Sequence, residues 1–252
     1  MKGQVFLIGA GPGASDLITV RGVEALRRAD VVVHDRLVNR ELLQYVRPGA
    51  EIIYVGKTPG GPTTRQERIN EIIVAKALTG ATVARLKGGD PYVFGRGWEE
   101  LEACYLAGVE CSVVPGISSS MAAPSAAGIP VTHRAMSRSF TVVTARTAND
   151  DDLNYTVLSQ LDTVVFLMGR ARLPHIAQSL IAAGKSASTP SALVECGTTP
   201  EQRVLRGPLG ELAALADQGR FKSPCTIVVG EVAGLAPTLE ASRFTLPEAV
   251  AQ

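Results

Sequence analysis

The sequence predicts an α/β protein of two domains, and three observations carry that prediction. Strand and helix patterns alternate through the first half of the chain, and glycine-rich turns sit where strands hand over to helices. The chain has 252 residues, long for one domain and ordinary for two. With 46% hydrophobic and 19% charged residues it can bury a substantial core.

The elements follow in order. Residues 4–8 are a short apolar strand, followed by a glycine turn and a helical segment ending near Ala29. Residues 31–34 and 51–55 read as further strands, and Thr64 opens a helix with a capping box, Thr64-x-x-Glu67. That helix lines up Ile69, Ile72 and Ile73, and Gly80 is placed to stop it. Strands at 81–86 and 110–114, with a helix at 98–107 between them, complete a βαβ series, which argues for a mostly parallel sheet covered by helices. A boundary at Pro115-Gly116 divides the chain into an N-terminal α/β domain, 1–115, and a mixed α/β domain, 116–252. In the second, a small-residue helix at 117–127 precedes strands at 140–144, 163–168, 191–196, 202–205 and 225–229, with a helix at 209–216. The strands at 191–196 and 202–205 are separated only by a short turn and are expected to pair antiparallel. Residues 149–152 form a polar acidic loop.

Charge and cysteine usage exclude several classes. A net charge of +1 offers no field suited to nucleic acid. No apolar run reaches the roughly 18 residues needed to span a bilayer, and the start of the chain has no secretory pattern. Cys104, Cys111, Cys196 and Cys225 show neither a CxxC pair nor a disulfide-like framework. They are expected to be reduced residues of a cytoplasmic protein. His34, His133 and His175 lack metal-ligand spacing, so no metal is expected.

The most informative segment is Arg85-Leu-Lys-Gly-Gly-Asp-Pro-Tyr-Val-Phe-Gly-Arg-Gly97, a strand opening into a loop with four glycines, one carboxylate and three cations. Glycine lets backbone approach a ligand closely, and Pro91 biases Asp90 towards an extended conformation. The loop reads as a site for a polar small molecule with an anionic partner nearby. Gly9-Ala-Gly-Pro-Gly-Ala14 formally matches a dinucleotide fingerprint, with Asp30 at about the right distance downstream. Pro12 argues against that reading, because it removes an N–H from the turn that would cradle a pyrophosphate. Asp35 ends a strand, where an α/β sheet faces its ligand; it either transfers protons or caps the next turn. Lys57 follows the next strand into a Gly/Pro-rich loop. Ser118, Ser119 and Ser120 open a helix, as N-caps or as ligand-facing hydroxyls. Arg36, Arg96 and Arg134 lie at or near strand ends and suit carboxylate binding.

Together these motifs resemble the tetrapyrrole methylase family. The likeness runs from Val5 to about Gly230 and rests on the Gly9–Gly13 turn, Asp35-Arg-Leu-Val38, Val55-Gly-Lys57, the loop from Arg85 to Gly97, Val114-Pro-Gly-Ile117, Gly128-Ile-Pro with Thr132-His-Arg134, Met168-Gly169, and Leu193-Val-Glu195 with Gly197. The resemblance implies a class III methyltransferase with two αβα domains, the active site in the cleft between them, and a homodimer. S-adenosyl-L-methionine would contact Pro12, Gly88, Gly89, Asp90, Val93, Ser118, Ser119, Met168, Gly197 and Cys225, and leave as S-adenosyl-L-homocysteine. Asp35 would be the proton acceptor and Lys57 the proton donor, while Arg36, Arg96, Glu99, Arg134 and Met168 would face the tetrapyrrole. The implied reaction is C-methylation of uroporphyrinogen III, by a chain carrying the methyltransferase alone. A later corrinoid substrate, or a non-catalytic dinucleotide module, are the alternatives. This chain departs from the family pattern at His34, Trp98, Ser119, Ala145-Arg146, Cys196 and Cys225. Trp98 would narrow the substrate entrance, stack on a pyrrole ring, or simply cap its helix.

Overall fold

The computed structural model describes residues 2–56, 64–146 and 153–235. Lys57 and the 149–152 loop lie outside the described residues. The chain divides into two compact units, one of Met1–Ala122 with Cys196–Gln202, the other of Ala123–Glu195 with Arg203–Gln252.

The first unit contains β1 (Gln4–Gly9), α1 (Val20–Arg28), β2 (Val31–His34), β3 (Glu51–Tyr54), α2 (Gln66–Leu78), β4 (Val83–Lys87), α3 (Gly97–Leu106) and β5 (Glu110–Val114). Its five strands are all parallel, in the order β3-β2-β4-β1-β5. Strand alternation sorts the side chains onto two faces. Val5, Leu7, Val31, Val33 and Val83 pack with Ile69, Ile73 and Ala77 of α2 and Cys104 of α3. Ile8, Val32, Ala84 and Leu86 turn the other way, onto Ala25 and Leu26 of α1. Both faces are therefore covered, as a parallel sheet requires.

One expected detail fails. Thr64 and Glu67 do not form a capping box: α2 starts at Gln66, and Arg65 caps it without a side-chain hydrogen bond. Gln66 is instead drawn inward, donating to the buried Glu100 carboxylate at 3.2 Å.

The division between units falls within α4 (Ser119–Ala126). The second unit continues with β6 (Phe140–Thr144), α5 (Tyr155–Gln160), β7 (Thr163–Leu167), α6 (Leu173–Ala182), β8 (Pro190–Glu195), β9 (Arg203–Pro208), α7 (Leu209–Gln218) and β10 (Cys225–Val229). The sheet order is β6-β7-β10-β8-β9, with β6 and β7 parallel and the remaining pairs antiparallel. The expected antiparallel pair is β8 with β9. Val164, Phe166, Leu193, Ile227 and Val229 pack beneath α5, α6 and α7, and Val165, Ala192, Val194 and Val228 pack with Ala123 and Ala127.

The C-terminal ends of β1, β4 and β5 meet through glycine. Gly11 and Gly89 exchange backbone hydrogen bonds of 3.2 and 2.7 Å, with φ of +80° and +70°, a region that favours glycine. A Cβ on Gly116 would stand 2.3 Å from the Gly89 carbonyl oxygen and 2.6 Å from the Gly9 Cα. Backbone cannot yield as a flexible side chain does, so Gly116→Ala should destabilise the protein by about 1–3 kcal/mol. Urea unfolding measures this, and a change below about 0.5 kcal/mol, the size of an ordinary surface substitution, would contradict the tight three-loop contact.

Candidate active site

At the C-terminal edge of the first sheet, β1 and β4 lie side by side while their following helices lead to strands on opposite sides of the pair. This is the switch point where open α/β sheets take ligands. The 85–97 segment ends β4 here and turns into α3.

Its cations are placed differently from the sequence expectation. Arg85 and Lys87 share the face of Val83, which α2 and α3 cover, so both are buried rather than displayed by the loop. Their anion is Glu100 of α3, itself fully buried. Arg85 Nε donates to Glu100 Oε1 at 3.0 Å and Lys87 Nζ to Oε2 at 2.8 Å. Arg85 Nη1 donates to the Leu86 carbonyl at 2.9 Å, and Nη2 approaches Asp35 Oδ2 at 3.5 Å. Burial lowers the Lys87 pKa from its ordinary 10.5, with Arg85 adding to the effect and Glu100 opposing it.

Asp35 caps the next turn, one of its two sequence readings. Oδ1 accepts the Leu37 N–H at 3.0 Å, capping the turn after β2, while Oδ2 faces Arg85. Its side chain is 29% exposed, held yet open to solvent. Asp90 is more completely committed: Oδ1 accepts from Tyr92 N at 2.8 Å and Oδ2 from Gly116 N at 3.0 Å. It ties the β4 loop to the β5 loop.

The remaining donor-site candidates of the first unit surround this tie. A Cβ on Gly89 would meet only the Ser118 Cα, at 3.8 Å, so the loop leaves an open cradle there. Gly88 packs on Leu37 on the other side. Ser118 Oγ accepts from Ser120 N at 3.3 Å, the N-cap contact of α4, and also bonds Ser120 Oγ at 2.9 Å. Ser119 follows as the first residue of α4. Pro12 adjoins Gly11 of the bridge, and Val93 is exposed on the loop. Gly197 lies in the Cys196–Gln202 segment, whose Thr198 Oγ1 accepts from Ala14 N at 3.1 Å. The glycine cradle, with N–H, C=O and hydroxyl groups around it, fits an adenosyl group carrying an amino acid.

Met168 and Cys225 belong to the second unit, where β10 is antiparallel to β7 and β8. The register Thr226↔Leu167 and Cys225↔Glu195 puts Cys225 beside the ends of both strands, where Met168 follows β7. Arg134, in the same unit, is exposed in the turn closed by His133 and Ser137. Of the acceptor-site candidates in the first unit, Arg36 is exposed, and Arg96 and Glu99 bind each other through hydrogen bonds of 2.8 and 2.5 Å. This bond holds the Glu99 carboxyl below its ordinary value. Trp98, 61% exposed in the first turn of α3, makes no cap hydrogen bond; with Tyr92, Phe94, Arg96 and Gly97 it lines a shallow pocket of about 290 Å³.

Asp30 is not at this edge. It precedes β2, pairs with Arg47, and accepts from Thr82 N at 2.7 Å. It is occupied at the opposite end of the sheet from the Gly9–Gly13 turn, so Asp30 cannot be the acidic partner of a dinucleotide ribose there. Among the described residues, non-glycine positive φ occurs at Phe94, Arg96, Met168, Cys196, Thr198 and Arg220. All except Arg220 lie in or beside candidate site segments.

Residues 4–213 match the family of Tetrapyrrole (Corrin/Porphyrin) Methylases, and the chain belongs to it. It is 48% identical over 235 residues to the uroporphyrinogen-III C-methyltransferase of Methanocaldococcus jannaschii, covering 92% of this chain and 97% of that protein. It is 44% identical to siroheme synthase 2 of Pectobacterium atrosepticum, of which it spans 51%. The solved uroporphyrin-III C-methyl transferase of Thermus thermophilus complexed with S-adenyl homocysteine superposes with a TM-score of 0.79 at 36% identity, covering 92% of this chain and 99% of that one.

Sequence reading missed Glu100 as the partner of Arg85 and Lys87. Glu100→Gln leaves two buried cations short of one anion and should cost about 3–5 kcal/mol near neutral pH. The loss should shrink as pH rises. Lys87 already titrates below its unfolded value of 10.5, and without Glu100 it falls further. The unfolded state then binds more protons than the folded one, so stability climbs towards that value. Denaturant unfolding of both proteins across this range checks the trend; a pH-independent difference would contradict it.

Proposed function

We propose that this protein is an S-adenosyl-L-methionine-dependent C-methyltransferase acting on uroporphyrinogen III. It methylates C2 and C7, through precorrin-1, to give precorrin-2. The observation that carries this reading is the 48% identity, over nearly the full length of both proteins, to a uroporphyrinogen-III C-methyltransferase. The solved relative complexed with S-adenyl homocysteine supports the donor, and the open cradle beside Gly89 and Ser118 supports its place.

S-adenosylmethionine, when bound, supplies an electrophilic methyl group. The residues proposed to hold it are Pro12, Gly88, Gly89, Asp90, Val93, Ser118, Ser119, Met168, Gly197 and Cys225. Asp90 does so largely through its backbone, since both its carboxylate oxygens already accept N–H groups. Alignment of donor and acceptor carbon is the main demand on such a displacement. The Asp90 carboxylate meets it by fixing two loops at once.

Methylation makes the fully substituted pyrrole carbon quaternary and leaves the ring cationic, so a proton must leave from elsewhere on the macrocycle to restore neutrality. Asp35 Oδ2 takes it, and the Arg85 guanidinium 3.5 Å away steadies the carboxylate beforehand. Lys57 is the residue proposed as proton donor. Arg36, Arg96, Glu99, Arg134 and Met168 receive the acceptor, whose eight carboxylates call for guanidinium groups on a chain of net charge +1. The Arg96–Glu99 pair is solvent-exposed, so opening it for a substrate carboxylate costs less than about 1 kcal/mol.

We further propose a cytoplasmic homodimer that binds no nucleic acid. No helix of the described residues is long and apolar enough to cross a membrane. The likeness to siroheme synthases supports a place in sirohaem formation, and that to a cobalt precorrin-4 methyltransferase keeps a cobalamin route within reach.

Incubation with uroporphyrinogen III and S-adenosylmethionine should yield a product heavier by two methyl groups, read by mass spectrometry. A corrinoid intermediate methylated in preference would overturn the substrate. Asp35→Ala should keep donor affinity by calorimetry while turnover falls by about 10²–10⁴-fold. Unchanged turnover would remove Asp35 from the reaction.

A further inference from the structure

The geometry points to Glu100 as a positioning residue that acts through Arg85 on Asp35. The inference rests on the proposed role of Asp35 as proton acceptor, and it assigns a task to a buried residue that reaches no ligand.

Glu100 is inaccessible to solvent and accepts from three side chains, Arg85, Lys87 and Gln66, at 3.0, 2.8 and 3.2 Å. A carboxylate so occupied and sealed from solvent is not placed to meet a ligand. What it does is fix the guanidinium plane of Arg85. Nε is bound to Glu100 and Nη1 to the Leu86 carbonyl, so Nη2 is left aimed at Asp35 Oδ2. Arg85 reaches both carboxylates, and its planar fork permits it.

Charge also decides the arrangement. Arg85 and Lys87 are each about 3% exposed, and one buried anion cannot neutralise both. One unit of positive charge is left over, and Arg85 Nη2 directs it towards Asp35. Glu100 thereby sets how much of the Arg85 charge Asp35 feels. With Glu100 intact, the Asp35–Arg85 contact stays long, at 3.5 Å, and the carboxylate is oriented without being locked into a tight ion pair. Without Glu100, Arg85 keeps its charge and turns it wholly on Asp35, which then gives up its basicity. Among the described residues, the other groups facing Asp35 are Lys87 from β4, His34 and Arg36 on its own strand end, and Tyr54 of β3, whose hydroxyl borders Gly56 together with the Arg36 amide.

A double-mutant cycle on the full-length protein tests this. Glu100→Gln should lower kcat by about tenfold while the KM for S-adenosylmethionine stays within about twofold, and it should cause no further loss on an Asp35→Ala background. A purely structural role would lower kcat by the same factor on both backgrounds, and that outcome overturns the proposal. Arg85→Lys provides a second variant should Glu100→Gln fold poorly. It keeps the charge but loses the fork, and should show the same split; full kcat in Arg85→Lys overturns the proposal. An activity-independent measurement separates this inference from the proposed reaction. The carbon-13 carboxyl resonance of Asp35, assigned with Asp35→Asn, should titrate at lower pH in Glu100→Gln than in the wild type. An unmoved midpoint overturns the positioning role even if the protein methylates uroporphyrinogen III. If the wild type methylates no tetrapyrrole, the proposed function fails and the midpoint alone decides the positioning role.

Discussion

A single buried carboxylate governs the site edge of the first sheet. β4 places two cations on a face that two helices cover, and burying them without a fixed anion would be prohibitive. Glu100 answers both at once, from a fully buried position on α3. The consequences spread outward. α3 cannot rotate without unpairing Arg85 and Lys87, so the loop feeding it, from Gly88 to Arg96, has a fixed end. Gln66 is pulled into the first turn of α2 to complete the shell. The same Arg85 that Glu100 holds reaches towards Asp35 at the end of β2. Thus the position of a candidate catalytic group depends on a residue that no ligand touches.

Glycine supplies the complementary constraint. Charge fixes the helix side of the β4 loop, and backbone contact fixes its other side, where Gly9 and Gly116 pack against each other and the Gly89 carbonyl without room for a Cβ. Asp90 joins the two by accepting from Gly116 N. The loop between these restraints is left open only beside Gly89 and Ser118, which is where a methyl donor has space. Backbone strain at Phe94 and Arg96 is carried just beyond, where the loop turns into α3.

Much of this was legible in the sequence, and the failures have definite causes. The strand faces follow from period-two alternation: Val31, Val33 and Asp35 share a parity on β2, as do Val83, Arg85 and Lys87 on β4. That parity already implied that Arg85 and Lys87 point into a covered face, yet their charge invited a reading as solvent-facing loop cations. Glu100 sits four residues before Cys104 on the core face of α3, a helical spacing that marks it as buried. No local signal says which cations it meets, because the pairing joins β4 to α3 through tertiary packing. The capping box at Thr64 failed for the same reason, a local preference overridden by a long-range hydrogen bond to Gln66. The Asp30 match to a dinucleotide fingerprint failed because spacing along a chain does not tell the two ends of a sheet apart. The motif resemblance named Asp35, Gly88 and Ser118 together without any knowledge of the contacts that hold them.

The most direct test of this account is a crystal structure of the protein with S-adenosylhomocysteine. The ligand is predicted to lie against Gly88, Gly89 and Ser118, with Asp90 still bound to Gly116 N and Asp35 still facing an Arg85 held by Glu100. Ligand density away from the β4 loop, or an Arg85 released from Glu100 when the ligand binds, would contradict it.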